Sequence, residues 1–195
     1  MKWRRHRALA FLFPLLTITM SCIGSNTKDI HWREEVVVAP GTLIVVERGE
    51  RLVLAGEPGA GQGWLFESAW LKATLPKIGA TEWSGFATPL VLNTENGVDW
   101  YLLCAIGSHR GEEEYRLEAP FVYVVFRLSG GAWHRIPFGE FPKALRPNLL
   151  GDPQDHFIRR GHKNGSLVDL TTKRRAEDDP SLSPTYKSID RTRGR

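Results

Sequence analysis

The chain has 195 residues, with 26 Lys and Arg against 22 Asp and Glu, a formal charge of +4 and a sequence pI of about 9.2. Lys2, Arg4, Arg5 and Arg7 hold the whole excess. Residues 22–195 carry 22 side chains of each sign, so the pI is no argument for nucleic acid as a partner.

Residues 1–21 read as a secretory signal peptide. Four basic side chains precede 13 apolar or weakly polar residues at positions 8–20, and Ser21-Cys22 follows. A helix that crosses a bilayer needs about 20 apolar residues, and Pro14 interrupts this shorter run. The basic start lies on the side that stays cytoplasmic. Export and cleavage are expected. Cys22, after the small Ser21, occupies the lipidation position of bacterial lipoproteins, although Thr19 stands where Leu is usual. In Gram-negative lipoproteins a residue other than Asp after the cysteine, here Ile23, goes with the outer membrane. Acyl chains on Cys22, each contributing about 0.8 kcal/mol per buried methylene, would make the attachment permanent. Lipidation leaves Cys104 without a partner. Without it, a Cys22–Cys104 bridge is the alternative.

The remaining length, about 174 residues, suits one domain whose core needs no disulfide. Residues 22–35 are polar without a clear period and read as a tether. Residues 36–150 read as a β-rich domain of short Val-, Leu- and aromatic-rich runs separated by Gly, Pro and charge. Residues 36–38 end at the turn dipeptide Pro40-Gly41. Residues 43–46 and 52–55 flank the charged Arg48-Gly49-Glu50-Arg51, which predicts a hairpin turn. The glycine-rich 56–63 is a loop tip. Residues 64–75 fit a strand slightly better than a helix, and Pro76 ends either.

Residues 86–92 and 100–106 predict a second hairpin around Asn96-Gly97. Glu112, Glu113 and Glu114 read as a charged loop. Residues 121–128 are apolar on both faces, as in a strand covered from two sides, and Ser129-Gly130-Gly131 turns it into a partner at 132–138. A short helix is expected between Pro142 and Leu145.

Residues 151–195 read as a polar, basic segment, partly disordered. Positions 22–158 hold 12 basic and 17 acidic residues, and positions 159–195 hold 10 and 5. Within the segment, 166–170 predicts an edge strand, and Thr171 or Thr172 caps a short helix through 173–177. The fold class expected is mainly β: an antiparallel sandwich or partly open barrel with short helices near the C-terminus.

Catalytic patterns are missing: no G-x-S-x-G, no H-E-x-x-H and no C-x-x-C pair. The glycine-rich loop lacks the Lys-Ser/Thr of a phosphate loop. Ser25 and Lys28 match S-x-x-K inside the tether, where no rigid pocket is expected. Asp152, Asp155, His156 and His162 combine carboxylates and imidazoles within a short stretch and are the candidate metal ligands. Cys104 lies in an apolar strand pattern, where a thiol is inert. Most tryptophans sit beside apolar neighbours and belong to the core. Trp32 and Trp83 are expected at the surface, and with the basic Lys173, Arg174 and Arg175 they form the candidate binding surface.

Glu82-Trp83-Ser84-Gly85, Trp100-Tyr101-Leu102, the hairpin from Phe121 to Phe138 and Asn148-Leu149-Leu150 together resemble exported or lipoprotein-like proteins of Gram-negative bacteria with no assigned activity. The resemblance implies the same address and adds no site. The expected role is binding or structural, in the periplasm and anchored to the outer membrane through Cys22, with an envelope protein or glycan as partner and no cofactor. The rival expectations are a secreted metal-dependent enzyme and a carrier of a small ligand or lipid.

Overall fold

The structure is a computed structural model that describes residues 26–56, 63–117, 122–178 and 188–193. The signal segment, Cys22, Ser25 and the glycine-rich tip lie outside the described residues. The fold is mainly β, two packed sheets, as expected from the alternating sequence.

The first sheet contains β1 (Thr27–Val38), β2 (Thr42–Ala55), β3 (Gly63–Leu75) and β4 (Gly79–Gly85). The second contains β5 (Thr88–Thr94), β6 (Trp100–Ala105), β7 (Tyr123–Ser129) and β8 (Ala132–Ile136). Each sheet is an antiparallel meander in chain order. The short strand β9 (Leu167–Val168) joins the free edge of β1 in parallel, completing the order β4-β3-β2-β1-β9. Helix α1 (His109–Tyr115) links β6 to β7, and α2 (Leu170–Glu177) follows β9.

Two boundaries differ from the sequence reading. The tether is in large part a strand: Thr27 pairs with Val53, and the ladder runs unbroken to Val38 against Thr42. Ile30, Trp32, Glu34, Val36 and Val38 face inward, so a stretch rich in charge still contributes alternate residues to the core. The predicted hairpin turn at 48–51 is the middle of β2. Gly49 sits in the ladder opposite His31 on one side and Trp70 on the other. The actual turn is at Ala39–Gly41, where Gly41 adopts φ +95°. Charge was the misleading cue. Glu47 and Arg51 point to solvent, while Arg48 and Glu50 point inward.

Other elements follow the sequence. Residues 64–75 form a strand, Asn96-Gly97 and Gly130-Gly131 make the turns, and 166–170 supplies the edge strand. The acidic triplet, expected in a loop, lies instead in the helix α1, which Ser108 caps by accepting from Gly111 N at 3.2 Å. Asp169, not a threonine, caps α2 by accepting from Thr172 N at 2.7 Å. Between Pro142 and Leu145 the chain makes a turn, and the short helical turn is one step earlier, at Phe138–Glu140.

Three apolar clusters hold the fold. The largest fills the space between the sheets, with Val36, Val46, Leu71, Leu75, Trp83, Leu92, Trp100, Leu102 and Phe126. A second covers the outer face of the four-stranded sheet, where Phe138, Phe141 and Leu145 pack on Leu103, Tyr123 and Val125. That layer explains why β7 is apolar on both faces. Ile189 joins it, and Arg191 lies over the rings of Phe138 and Phe141. The third closes one end: Leu150, Phe157 and Val168 pack on Ile30, Trp32 and Leu52. Much of the polar segment 151–178 is therefore docked structure, and it has its own buried side chains.

Candidate functional site

The outer face of the five-stranded sheet carries a depression that could hold a ligand. Strand alternation puts Asp29 and His31 of β1, Arg51 of β2, Trp70 of β3 and Ser84 of β4 on that face. They line a shallow depression of about 580 Å³ with Phe86 at one side. Trp70 is opposite Gly49 on β2 and Ser84 on β4. Its indole lies on Gly49: a Cβ there would come within 2.4 Å of Trp70 Nε1. The missing side chain is what lets the ring pack this close to the β2 backbone. Arg51 donates to both oxygens of Asp29 at 2.8 and 3.2 Å, a forked pair that fixes both groups. That pairing, through its hydrogen bond first, holds the Asp29 carboxyl below its ordinary value. An aromatic floor with a charged and hydroxyl-bearing rim is suited to a ligand that has apolar faces and polar edges.

Trp32 and Trp83 are not at this surface, which corrects the expectation. Trp32 is 1% exposed and packs against Phe157, centroids 5.0 Å apart and planes tilted by 33°. Trp83 is buried between the sheets against Phe126. Both share parity with the core positions of their strands, while Trp70 has the opposite parity to Leu71 and Ala73.

Directly beneath lies a buried ionic network. Glu34 and Arg48, 0% and 1% exposed, pair at 2.7 Å. Glu34 also accepts from Trp32 Nε1 at 3.1 Å and from Leu150 N at 2.5 Å. Arg48 donates to Leu150 O at 3.1 Å and to Pro89 O at 2.8 Å, so its guanidinium spans the two sheets. Its cation also lies 4.9 Å from the Trp32 ring centroid. Lys173 reaches in from α2 to Glu34 Oε1 at 3.1 Å and donates to Glu35 O at 2.8 Å and to Asn148 O. Burial alone would raise the Glu34 carboxyl. The charges of Arg48 and Lys173, with hydrogen bonds from Trp32 and Arg48, outweigh it and hold the group below its ordinary value. Lys173 is thus part of the interior and not of a basic surface. Arg174 and Arg175 are exposed.

Glu50, two residues along β2, is also buried, at 2% exposed. Its Oε1 accepts from the Thr88 hydroxyl at 3.2 Å, while its Oε2 and the Nε of Arg48 have no hydrogen-bond partner. Burial, with Asp152 adding to it, pushes the Glu50 carboxyl up to about 7 against the pull of Arg48 and the Thr88 bond. Glu50, Thr88, Phe66, Asp152, Gln154 and Arg159 line a cleft of about 230 Å³ at the sandwich edge.

The four candidate metal ligands do not assemble. Among the described residues, no group of three His, Cys, Asp or Glu converges as a metal centre. His156 and His162 stack face to face, centroids 3.7 Å apart and planes 2° apart. The in-plane lone pairs of such rings run parallel and do not meet at one ion. Burial and the facing His162 lower His156 to about 4. Asp155 is taken by Arg160 at 2.6 Å and Arg159 at 3.5 Å. Asp152 alone faces the cleft, and its Oδ1 accepts from Asp155 N at 2.9 Å. Cys104 is fully buried, and burial pushes its thiol well above its ordinary value. No helix among the described residues is long and apolar enough to cross a membrane. No family model, no curated protein and no solved structure matches this chain.

Proposed function

We propose that the chain is an exported cell-envelope protein, held to the membrane through Cys22, that binds a glycan on the outer face of its five-stranded sheet. The address rests on the signal pattern of residues 1–22. The binding role rests on one observation: Trp70 packs against Gly49 in a depression lined also by the Asp29–Arg51 pair, His31 and Ser84, with Lys72 Nζ 5.8 Å from its ring centroid. Sugar rings have an apolar face for the indole and hydroxyl edges for a carboxylate–guanidinium pair. A binding role also fits the absence of catalytic patterns in the sequence.

Two measurements test the reading. A glycan array with titration calorimetry on the hits should give binding that Trp70→Ala weakens at least about tenfold, the loss of about 1.4 kcal/mol or more. Binding equal in wild type and Trp70→Ala would remove the platform from the reading. Labelling with radioactive palmitate should mark the wild type and not Cys22→Ala, and equal labelling would remove the anchor.

A further inference from the structure

The geometry points to a second site, separate from the glycan face: a calcium-type divalent cation bound in the cleft at the sandwich edge, with Glu50 as its central ligand and Asp152 and Thr88 as neighbours. Three observations carry it. Glu50 is a carboxylate almost wholly removed from water, yet its Oε2 receives no hydrogen bond. A buried acceptor without a partner costs about 1–3 kcal/mol, more when charged, so the position is stable only if something else satisfies it. Beside the apolar Leu65, Phe66 and Pro153 and the Arg159 guanidinium, the same cleft is lined by three oxygen-bearing groups from different parts of the chain: the Thr88 hydroxyl, the Asp152 carboxylate and the Gln154 amide. An all-oxygen set without thiol or imidazole suits a hard cation.

No direct bond to Glu50 is made by the nearby positive groups, although the Nε of Arg48 is without a partner. Arg48 spends its terminal nitrogens on Glu34, Leu150 O and Pro89 O. Arg159, the cation in the lining, is paired with Asp155. Neither neutralises the Glu50 and Asp152 pair by direct contact among these bonds. The segment carrying Asp152 is set by its own turn, in which Asp152 Oδ1 holds Asp155 N. The carboxylate therefore has a fixed place at the mouth of the cleft. With only two carboxylates the affinity belongs in the weak range of extracellular calcium modules, Kd about 0.1–1 mM.

The test uses the purified full chain, stripped with EDTA and returned to chelator-free buffer at pH 8. Calcium chloride at 10 mM should raise Tm by about 3–8 °C, since a ligand that binds only the folded state stabilises it by mass action. The shift should become visible as calcium passes about 0.1–1 mM and then rise with the logarithm of its concentration. Glu50→Gln, which keeps shape and the Thr88 contact, should melt cooperatively and show no calcium shift. Asp152→Asn should weaken the calcium response about tenfold, and radioactive calcium should stay with the wild type on gel filtration and not with Glu50→Gln. A wild type that neither shifts nor retains calcium overturns the proposal, and Glu50 Oε2 is then met by water. An equal shift in Glu50→Gln, or a shift with magnesium or methylammonium chloride and none with calcium, overturns it as well.

Discussion

The indole of Trp70 rests on the backbone of Gly49 across the β2–β3 ladder, so close that a Cβ on Gly49 would overlap Nε1 at 2.4 Å. Gly49 is extended, and its role is purely the space it leaves. Gly49→Ala must therefore lift the ring from the sheet. The expected cost is about 1–3 kcal/mol in urea denaturation, with loss of glycan binding. Trp70→Ala should lose binding while costing less stability, because the ring is only partly buried. Binding retained in Gly49→Ala would show that the close seat of the ring on Gly49 does not matter.

The Glu34–Arg48 pair should behave unlike the Asp29–Arg51 pair. Glu34→Gln leaves Arg48 and Lys173 as two buried cations facing a neutral amide. A loss of about 3–5 kcal/mol is expected, as for other broken buried pairs. Asp29→Asn breaks a pair whose side chains are more than half exposed and should cost well under about 1 kcal/mol. Equal midpoint shifts in the two variants would contradict the network described here.

Lys173 and its neighbours give a second contrast. Lys173→Ala removes bonds to Glu34 and to two backbone carbonyls, and should lower Tm by several degrees. Arg174→Ala and Arg175→Ala alter exposed positions and should stay within about 0.5 kcal/mol of wild type.

Two buried titrating groups pull against one another with pH. Glu50 is raised to about 7, so in chelator its burial costs nothing below about 4.5, and stability falls as pH rises from there to about 7. The shift corresponds to about 3 kcal/mol. His156 is lowered to about 4, so the unfolded chain binds the extra proton between about 4 and 6.5, and stability rises with pH across that window. The two slopes oppose between about 4.5 and 6.5, and the wild type should be nearly flat there. Glu50→Gln should expose the His156 slope and gain stability relative to wild type above pH 7. A Glu50→Gln profile parallel to the wild type would contradict the raised carboxyl.

The Cys104 thiol is buried and held largely protonated. Iodoacetamide at pH 8 should leave it unmodified in the folded chain and alkylate it fully in 8 M urea, read by mass spectrometry.

Alternation alone was enough to place most strands, their turns at Asn96-Gly97 and Gly130-Gly131, and the doubly covered β7, because period two is a local property of the chain. Parity also held a signal for the interior charges. Glu34 lies in phase with Ile30, Trp32 and Val36, and Arg48 and Glu50 lie in phase with Val46 and Leu52. The charges of Arg48-Gly49-Glu50-Arg51 outweigh it and predict a turn instead. Charge argues for solvent only when no partner waits inside. Here the partners of Arg48 come from positions as distant as Pro89 and Leu150, which no local pattern connects. Which tryptophan faces outward is likewise a matter of which side of the sheet the second sheet covers. The chain by itself determined most of its strands, the charge balance of residues 22–195 and its signal-like start. Only tertiary packing decided that Trp70 rather than Trp32 or Trp83 lines the outer depression, that Lys173 turns inward, and that Asp152 lines the same cleft as Glu50, because these depend on register between segments far apart in sequence.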